Sequence, residues 1–325
     1  MRTLHIHIGH GKTGSSYLQS CFALSRDAMA AAGREYPRPS TAAAAAKGDI
    51  SSGNGRMLIN AMNNRLARWL LATRLRAGSG DVVFSSEFLF FVLSRKGAPE
   101  KLRRFAQAAG FQRISMLLFI RDPFDHLPSV YQQRVKRGGF TGAIDALTRG
   151  YDIPTRCAWL IRAFKGMAEV KLTVRNYSRV RGDLTGAVEE WAGLSAGALA
   201  RPDSGVVNRS LSAAELTVQR VFNARLGRCG PIVADQFCNL LPDIKADFTA
   251  PSKPAGRRMI KRLRADIDFV NAHIDEADRY SLLRKEAEPG FGEAQTVTLT
   301  RAQIEAVAAG VAEALKRGRP TKVRR

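Results

Sequence analysis

The first sixteen residues constrain this chain more than anything that follows. Thr3-Leu4-His5-Ile6-His7-Ile8 alternates with the period of a strand. Gly9-His10-Gly11-Lys12-Thr13-Gly14 breaks that pattern as a loop. Ser15 or Ser16 can cap a helix running towards Ala32, with Gly33 as its stop. A strand, a glycine-rich loop and a helix in this order open an α/β nucleotide-binding fold. The loop is a natural anion site, because its N–H groups converge and the helix start adds partial positive charge. Lys12 contributes a full charge there, and Thr13, Ser15 and Ser16 contribute hydroxyls.

The same alternation of elements continues. Residues 36–56 hold two prolines, an alanine run and a Ser/Gly/Asn cluster, which predicts a mobile flap. One helix is expected from about Met57 to Arg76, with Leu58, Met62, Leu66 and Leu70 on its buried face. Arg65, Arg68 and Arg76 lie off that stripe and read as a solvated face. Further strands are expected over 81–86, ending at Glu87, over 114–120, ending at Arg121-Asp122-Pro123, and over 170–174. Helices are expected from about 99 to 109, from Pro123 to about Lys136, from 156 to 164, and from the last strand to Trp191. This predicts an α/β fold, a parallel sheet flanked by helices with a phosphate-binding loop after strand 1, plus a mostly helical C-terminal region. Ser212 and Glu215 form a capping box, Thr300 and Gln303 a second, and helices are expected over about 255–283 and 301–316. The expected division is a core over 1–200 and a helical C-terminal subdomain over 201–325, ending in a basic tail, Lys316 to Arg325.

Composition narrows the function classes. Among 325 residues, 51 Lys+Arg against 29 Asp+Glu leave a net charge of +22, which points to polyanionic or phosphate-bearing partners. Arginine outnumbers lysine 38 to 13 amid many alanines, the bias of a GC-rich bacterial coding sequence, so the charge alone does not argue for nucleic acid. No finger spacing and no aromatic-basic run appears, so no nucleic-acid partner is expected. Cys21, Cys157, Cys229 and Cys238 make no metal pattern and are too few for a disulfide scaffold, so reduced thiols are expected. Without a leader-like or membrane-spanning apolar run, the expected location is cytoplasmic. The tail reads as solvated, with contact to an acidic glycan or a membrane surface as the other option.

Gly11-Lys12-Thr13 matches the end of a Walker A loop, but that pattern needs a glycine where Ile6 stands. The loop is therefore too short to wrap a triphosphate. A P-loop-type kinase of another class remains the alternative enzyme. A non-catalytic nucleotide- or polyanion-binding protein is the alternative of a different kind.

Lys12-Thr13-Gly14-Ser15-Ser16 resembles the 5′-phosphosulfate loop of the sulfotransferases that use 3′-phosphoadenosine 5′-phosphosulfate (PAPS). A second motif agrees. Arg121 at a strand end, Pro123 nearby and Ser129 eight residues after the arginine resemble that family's 3′-phosphate motif. Val130 to Arg137 and Asn208-Arg209-Ser210-Leu211-Ser212 are similar to segments of its bacterial members. The Arg-Lys-Gly-x-x-Gly closure found near the C-terminus of cytosolic animal members is not present in this chain. The resemblance implies PAPS as co-substrate, with Lys12 on the bridging oxygen and Thr13, Gly14, Ser15 and Ser16 around the 5′-phosphate. It also implies Arg121 and Ser129 on the 3′-phosphate, and Tyr177 near the adenine.

Sulfuryl transfer needs positioning and charge stabilisation, and no metal is expected because Lys12 can neutralise the leaving group. The acceptor hydroxyl needs a base. Glu87, at the carboxyl edge of the sheet, is the first candidate, as the family's carbohydrate enzymes use a glutamate. His10 is the second and His126 the third. The acceptor this implies is a small molecule or glycan, above all a carbohydrate or glycolipid. His5 and His7 read as strand residues packed under neighbouring elements.

Overall fold

Five strands form one parallel sheet in the computed structural model, which describes residues 1–38, 53–202, 209–283 and 297–316. They are β1 (Thr3–Gly9), β2 (Arg34–Glu35), β3 (Asp81–Ser85), β4 (Arg113–Ile120) and β5 (Val170–Asn176), in the order β2-β3-β1-β4-β5. β1 pairs with β3 from Leu4–Val82 to His7–Ser85, and with β4 from Thr3–Arg113 to Gly9–Phe119. The connection out of β1 leads to one edge of the sheet, and that out of β4 leads to the other. The carboxyl ends of β1 and β4 therefore flank a topological switch point, where open parallel sheets bind ligands.

The alternation in β1 does not mark a wet face. Leu4, Ile6 and Ile8 are fully buried, and His5 and His7 are buried as well, as expected for a central parallel strand covered on both sides. His7 Nδ1 lies 2.8 Å from Ser85 Oγ, and its ring meets Phe119 edge-on. Burial pushes the His7 pKa down to about 3. Leu117 and Phe119 of β4 pack with Leu18, Cys21, Phe22 and Val188 as one apolar cluster.

Several helices differ from expectation, and the one expected from the last strand to Trp191 forms as two, Tyr177–Val180 and Leu184–Ala192. The chain's first helix runs Ser15–Leu24, is interrupted at Ser25, and resumes as Arg26–Ala31. The Ser25 hydroxyl accepts the N–H of Ala200 at 2.6 Å. The helix expected over 57–76 is two helices, Gly55–Asn63 and Arg65–Arg76. Asn64 between them is extended (φ −125°, ψ 127°), and its side chain caps the second helix by accepting the N–H of Ala67. That break turns the apolar stripe. Leu58 and Met62 are buried, whereas Leu66 and Leu70 are exposed and Leu71, Ala72 and Leu75 face inward instead. β2 was not anticipated, because two residues carry no readable period. Gly33, at φ 73°, turns the chain into it, and the Gly33 carbonyl accepts the N–H of Asp81.

No strand follows Asn176 among the described residues. Among the described residues, helices Tyr177–Val180 and Leu184–Ala192 come next, and beyond residue 209 the helices are Ala213–Leu226, Ala234–Leu240, Lys253–Asn271 and Arg301–Lys316. Both expected capping boxes form. Ser212 Oγ accepts the N–H of Glu215 while Glu215 accepts the N–H of Ser212, and Thr300 and Gln303 exchange the same pair of bonds. The expected 255–283 helix ends at Asn271, and the chain turns through Glu276–Asp278. Most of the expected flap and the tail from Arg317 on lie outside the described residues.

The chain forms two compact units that interleave along the sequence. The first comprises 1–122, 152–207 and 263–281 and carries the sheet; the second comprises 123–151, 208–262 and 282–325. In the second, Arg209 makes a double hydrogen bond to the buried Glu215 at 2.7 and 2.8 Å, which gives Arg209 a structural role. All four cysteines are free thiols. Among the described residues, no helix is long and apolar enough to cross a membrane.

His7 makes the fold sensitive to acid. The unfolded chain takes up a proton near pH 6.5, but the folded chain does so only near pH 3. Stability should therefore fall as pH drops through that window, by roughly 1.4 kcal/mol per pH unit for this group. Melting temperatures of wild type and His7→Gln between pH 7 and pH 4 test this. The variant should show a shallower slope, and parallel slopes would remove His7 as the cause.

Candidate functional site

The loop after β1 is shaped by small residues and positive backbone angles. A Cβ on Gly9 would collide with Ser15 Oγ and stand 2.7 Å from Thr13 Oγ1, so only glycine lets the loop fold back over the strand end. Thr13 Oγ1 donates to the His10 carbonyl at 2.7 Å and closes the loop. Lys12 has φ 71°, the one left-handed non-glycine among the described residues. Gly14 follows at φ 79°, where a Cβ would collide with Leu184 and stand 3.1 Å from Tyr177 Cε2.

Gly14 is also the N-cap of the first helix, and no side chain caps it. The expectation that Ser15 or Ser16 serves as the cap is thus corrected: left-handed Gly14 starts the helix one residue earlier and puts both serines inside its first turn. Ser16 is exposed. Ser15 is buried, and its hydroxyl has no hydrogen-bond partner among the described residues. An uncapped helix start and an orphaned buried hydroxyl at one place suit a ligand rich in acceptor oxygens.

Other elements deliver side chains to the same edge. Arg121, following β4, donates from a guanidinium nitrogen to the Lys12 carbonyl at 2.8 Å. The same guanidinium lies over the Tyr177 ring, 5.1 Å from its centroid. Glu87, following β3, is half-buried beside the loop; a Cβ on Gly11 would stand 3.6 Å from its Oε2. His10 is buried with Nδ1 3.2 Å from the Gly11 carbonyl. Burial lowers its pKa to about 4, the Gly11 carbonyl opposes that shift, and Arg121 adds to it, so His10 is neutral at pH 7.

Nine of the expected residues therefore meet at the carboxyl edge of the sheet: His10, Lys12, Thr13, Gly14, Ser15, Ser16, Glu87, Arg121 and Tyr177. The other two belong to the second unit. Ser129 is half-buried on the helix Pro123–Gly138. His126, on the same helix, is buried with Nδ1 3.0 Å from the Tyr151 hydroxyl.

A buried network that sequence reasoning missed holds Arg121 and Tyr177 in place. Asp122 Oδ1 accepts from Asn176 Nδ2 at 2.8 Å and from the N–H of Ser281 at 2.9 Å, and its other oxygen lies 3.2 Å from Arg179. Asn176 donates its own N–H to Asp278 Oδ1 at 2.7 Å, and its side-chain oxygen accepts the N–H of Ser178 at 3.0 Å. The ends of β4 and β5 are thereby fixed one residue from Arg121 and one residue from Tyr177. The only hint in the sequence is a polar residue at the end of each apolar strand. Asn54 acts likewise on β3, with its side chain accepting from the N–H of Ser85 at 2.8 Å and donating to the Val83 carbonyl at 2.9 Å.

In comparison with known proteins, the chain matches no family model and no curated protein. The site is therefore judged on its geometry: two cations, an open helix start, hydroxyls and a neighbouring carboxylate.

Asp122→Ala leaves the Asn176 amide and the Ser281 N–H without their acceptor. A loss of about 2–3 kcal/mol is expected in urea denaturation. A loss below about 0.5 kcal/mol, the range of an ordinary surface substitution, would show that Asp122 does not tie the two strand ends.

Proposed function

We propose that this chain is a sulfotransferase that moves a sulfuryl group from PAPS to a hydroxyl or amine acceptor, with a carbohydrate or glycolipid as the favoured class. One observation carries the reading. Two motifs 109 residues apart in sequence meet through a hydrogen bond between Arg121 and the Lys12 carbonyl. Nothing in local sequence requires that meeting, and a bisphosphorylated nucleotide explains why two cations share one edge.

The residues present fit such a ligand. PAPS supplies the activated sulfuryl group. Lys12, on its left-handed backbone, stabilises negative charge at the bridging oxygen. Thr13, Gly14, Ser15 and Ser16 surround the 5′-phosphate, where the uncapped helix start offers N–H donors and Ser15 gains the partner it lacks. Arg121 holds the 3′-phosphate with its charged fork. Ser129 carries the same assignment from its spacing alone, and Tyr177 is assigned to the adenine side. Glu87 accepts the acceptor's proton. His10, held neutral, is the second candidate for that step.

Titration calorimetry with 3′,5′-adenosine bisphosphate and adenosine 5′-monophosphate tests the nucleotide assignment. Arg121→Ala should weaken the bisphosphate by about 10- to 100-fold and the monophosphate much less. Equal losses would contradict the 3′-phosphate role, and absence of any binding heat would end the proposal. Glu87→Gln should keep nucleotide affinity and lose transfer of labelled sulfate from PAPS to a panel of sugars, lipids and phenols. Retained transfer would move the base to His10. Nucleotide binding without transfer to any acceptor would favour a non-catalytic binding protein.

A further inference from the structure

We infer that the helix Arg65–Arg76 is a docking face for the surface of an anionic lipid bilayer. Leu66, Trp69 and Leu70 stand at i, i+3 and i+4 and form one apolar face. That face is turned outward: the three are 64%, 63% and 55% exposed. It exists because extended Asn64 rotates this helix relative to Gly55–Asn63, so that Leu71, Ala72 and Leu75 take the buried side.

The charges around it identify the partner. From residue 50 to residue 80 the chain has five arginines and no acidic residue. Arg65 and Arg68 flank the stripe and have no carboxylate partner among the described residues. Arg74 lies 3.7 Å from Glu35, with both side chains largely exposed. Lys101, on the neighbouring helix Ala98–Ala108, donates to Asn63 Oδ1 at 2.9 Å and adds a cation beside the start of the same helix. A convex helix face with Trp and Leu at its crest and arginines beside it suits the headgroup–acyl boundary of a negatively charged bilayer. A second copy of the chain would bring the same arginines against these, so self-pairing is opposed by charge. The face is independent of the sheet-edge site and stands whether or not the sulfotransferase reading holds.

Co-sedimentation of the full chain with vesicles tests the inference. One set is phosphatidylcholine alone, the other an equal mixture with phosphatidylglycerol. The protein should bind the mixed vesicles, release at high salt, and show a blue shift of tryptophan emission as Trp69 leaves water. The triple variant Leu66→Ser, Trp69→Ser, Leu70→Ser should lose about a hundredfold in vesicle affinity with its melting temperature unchanged, because these side chains are exposed. Arg65→Gln with Arg68→Gln should lose about thirtyfold. Undiminished binding by the triple variant would overturn the inference and leave the basic tail, which the variant retains, as the lipid-binding element. Failure of wild type to bind mixed vesicles would also overturn it. So would a concentration-dependent dimer of wild type that the triple variant abolishes, since the face would then serve self-association.

Discussion

β1 is hydrogen-bonded on both sides, to β3 and to β4, and the candidate site depends on that double pairing. The register sets Gly9 opposite Phe119, so the loop after β1 and Arg121 after β4 emerge side by side. On the other side it sets His7 opposite Ser85, two residues before Glu87. A slip of one residue in either ladder would turn every strand side chain to the opposite face and carry the cations apart. Such a slip is opposed by burial, since β1 has its apolar and its histidine side chains covered on the two faces of the sheet.

Much of this organisation was legible in the residues. Strand, loop and helix at the start, the apolar run before Arg121 and both capping boxes rest on local rules, and local rules suffice for them. What escaped depends on tertiary contact. β2 is only two residues long. Asn64 looked like one more polar residue in a helix, and its extended backbone reverses which leucines are inside. Asp122 and Asn176 gave no pattern, because their meaning lies in facing each other across two strands. Ser15 illustrates the same limit within the site. Its residue type and position suggested a cap, but the backbone of Gly14 decided otherwise.

The electrostatics of the first unit sort by burial. Beneath the loop, His7 and His10 are held neutral by desolvation, so they add no charge to an edge that already carries Lys12 and Arg121. The buried carboxylates Asp122 and Asp278 accept from the side-chain and backbone N–H groups of Asn176.

The backbone at Lys12 has a consequence for how this chain can change. A left-handed conformation costs a side-chain-bearing residue about 1 kcal/mol or more, a cost that glycine escapes. Replacement by glycine would therefore make the loop easier to form while deleting its ammonium group. Position 12 thus sets folding ease against charge: a glycine there would give a loop that is easier to build and that carries one cation fewer.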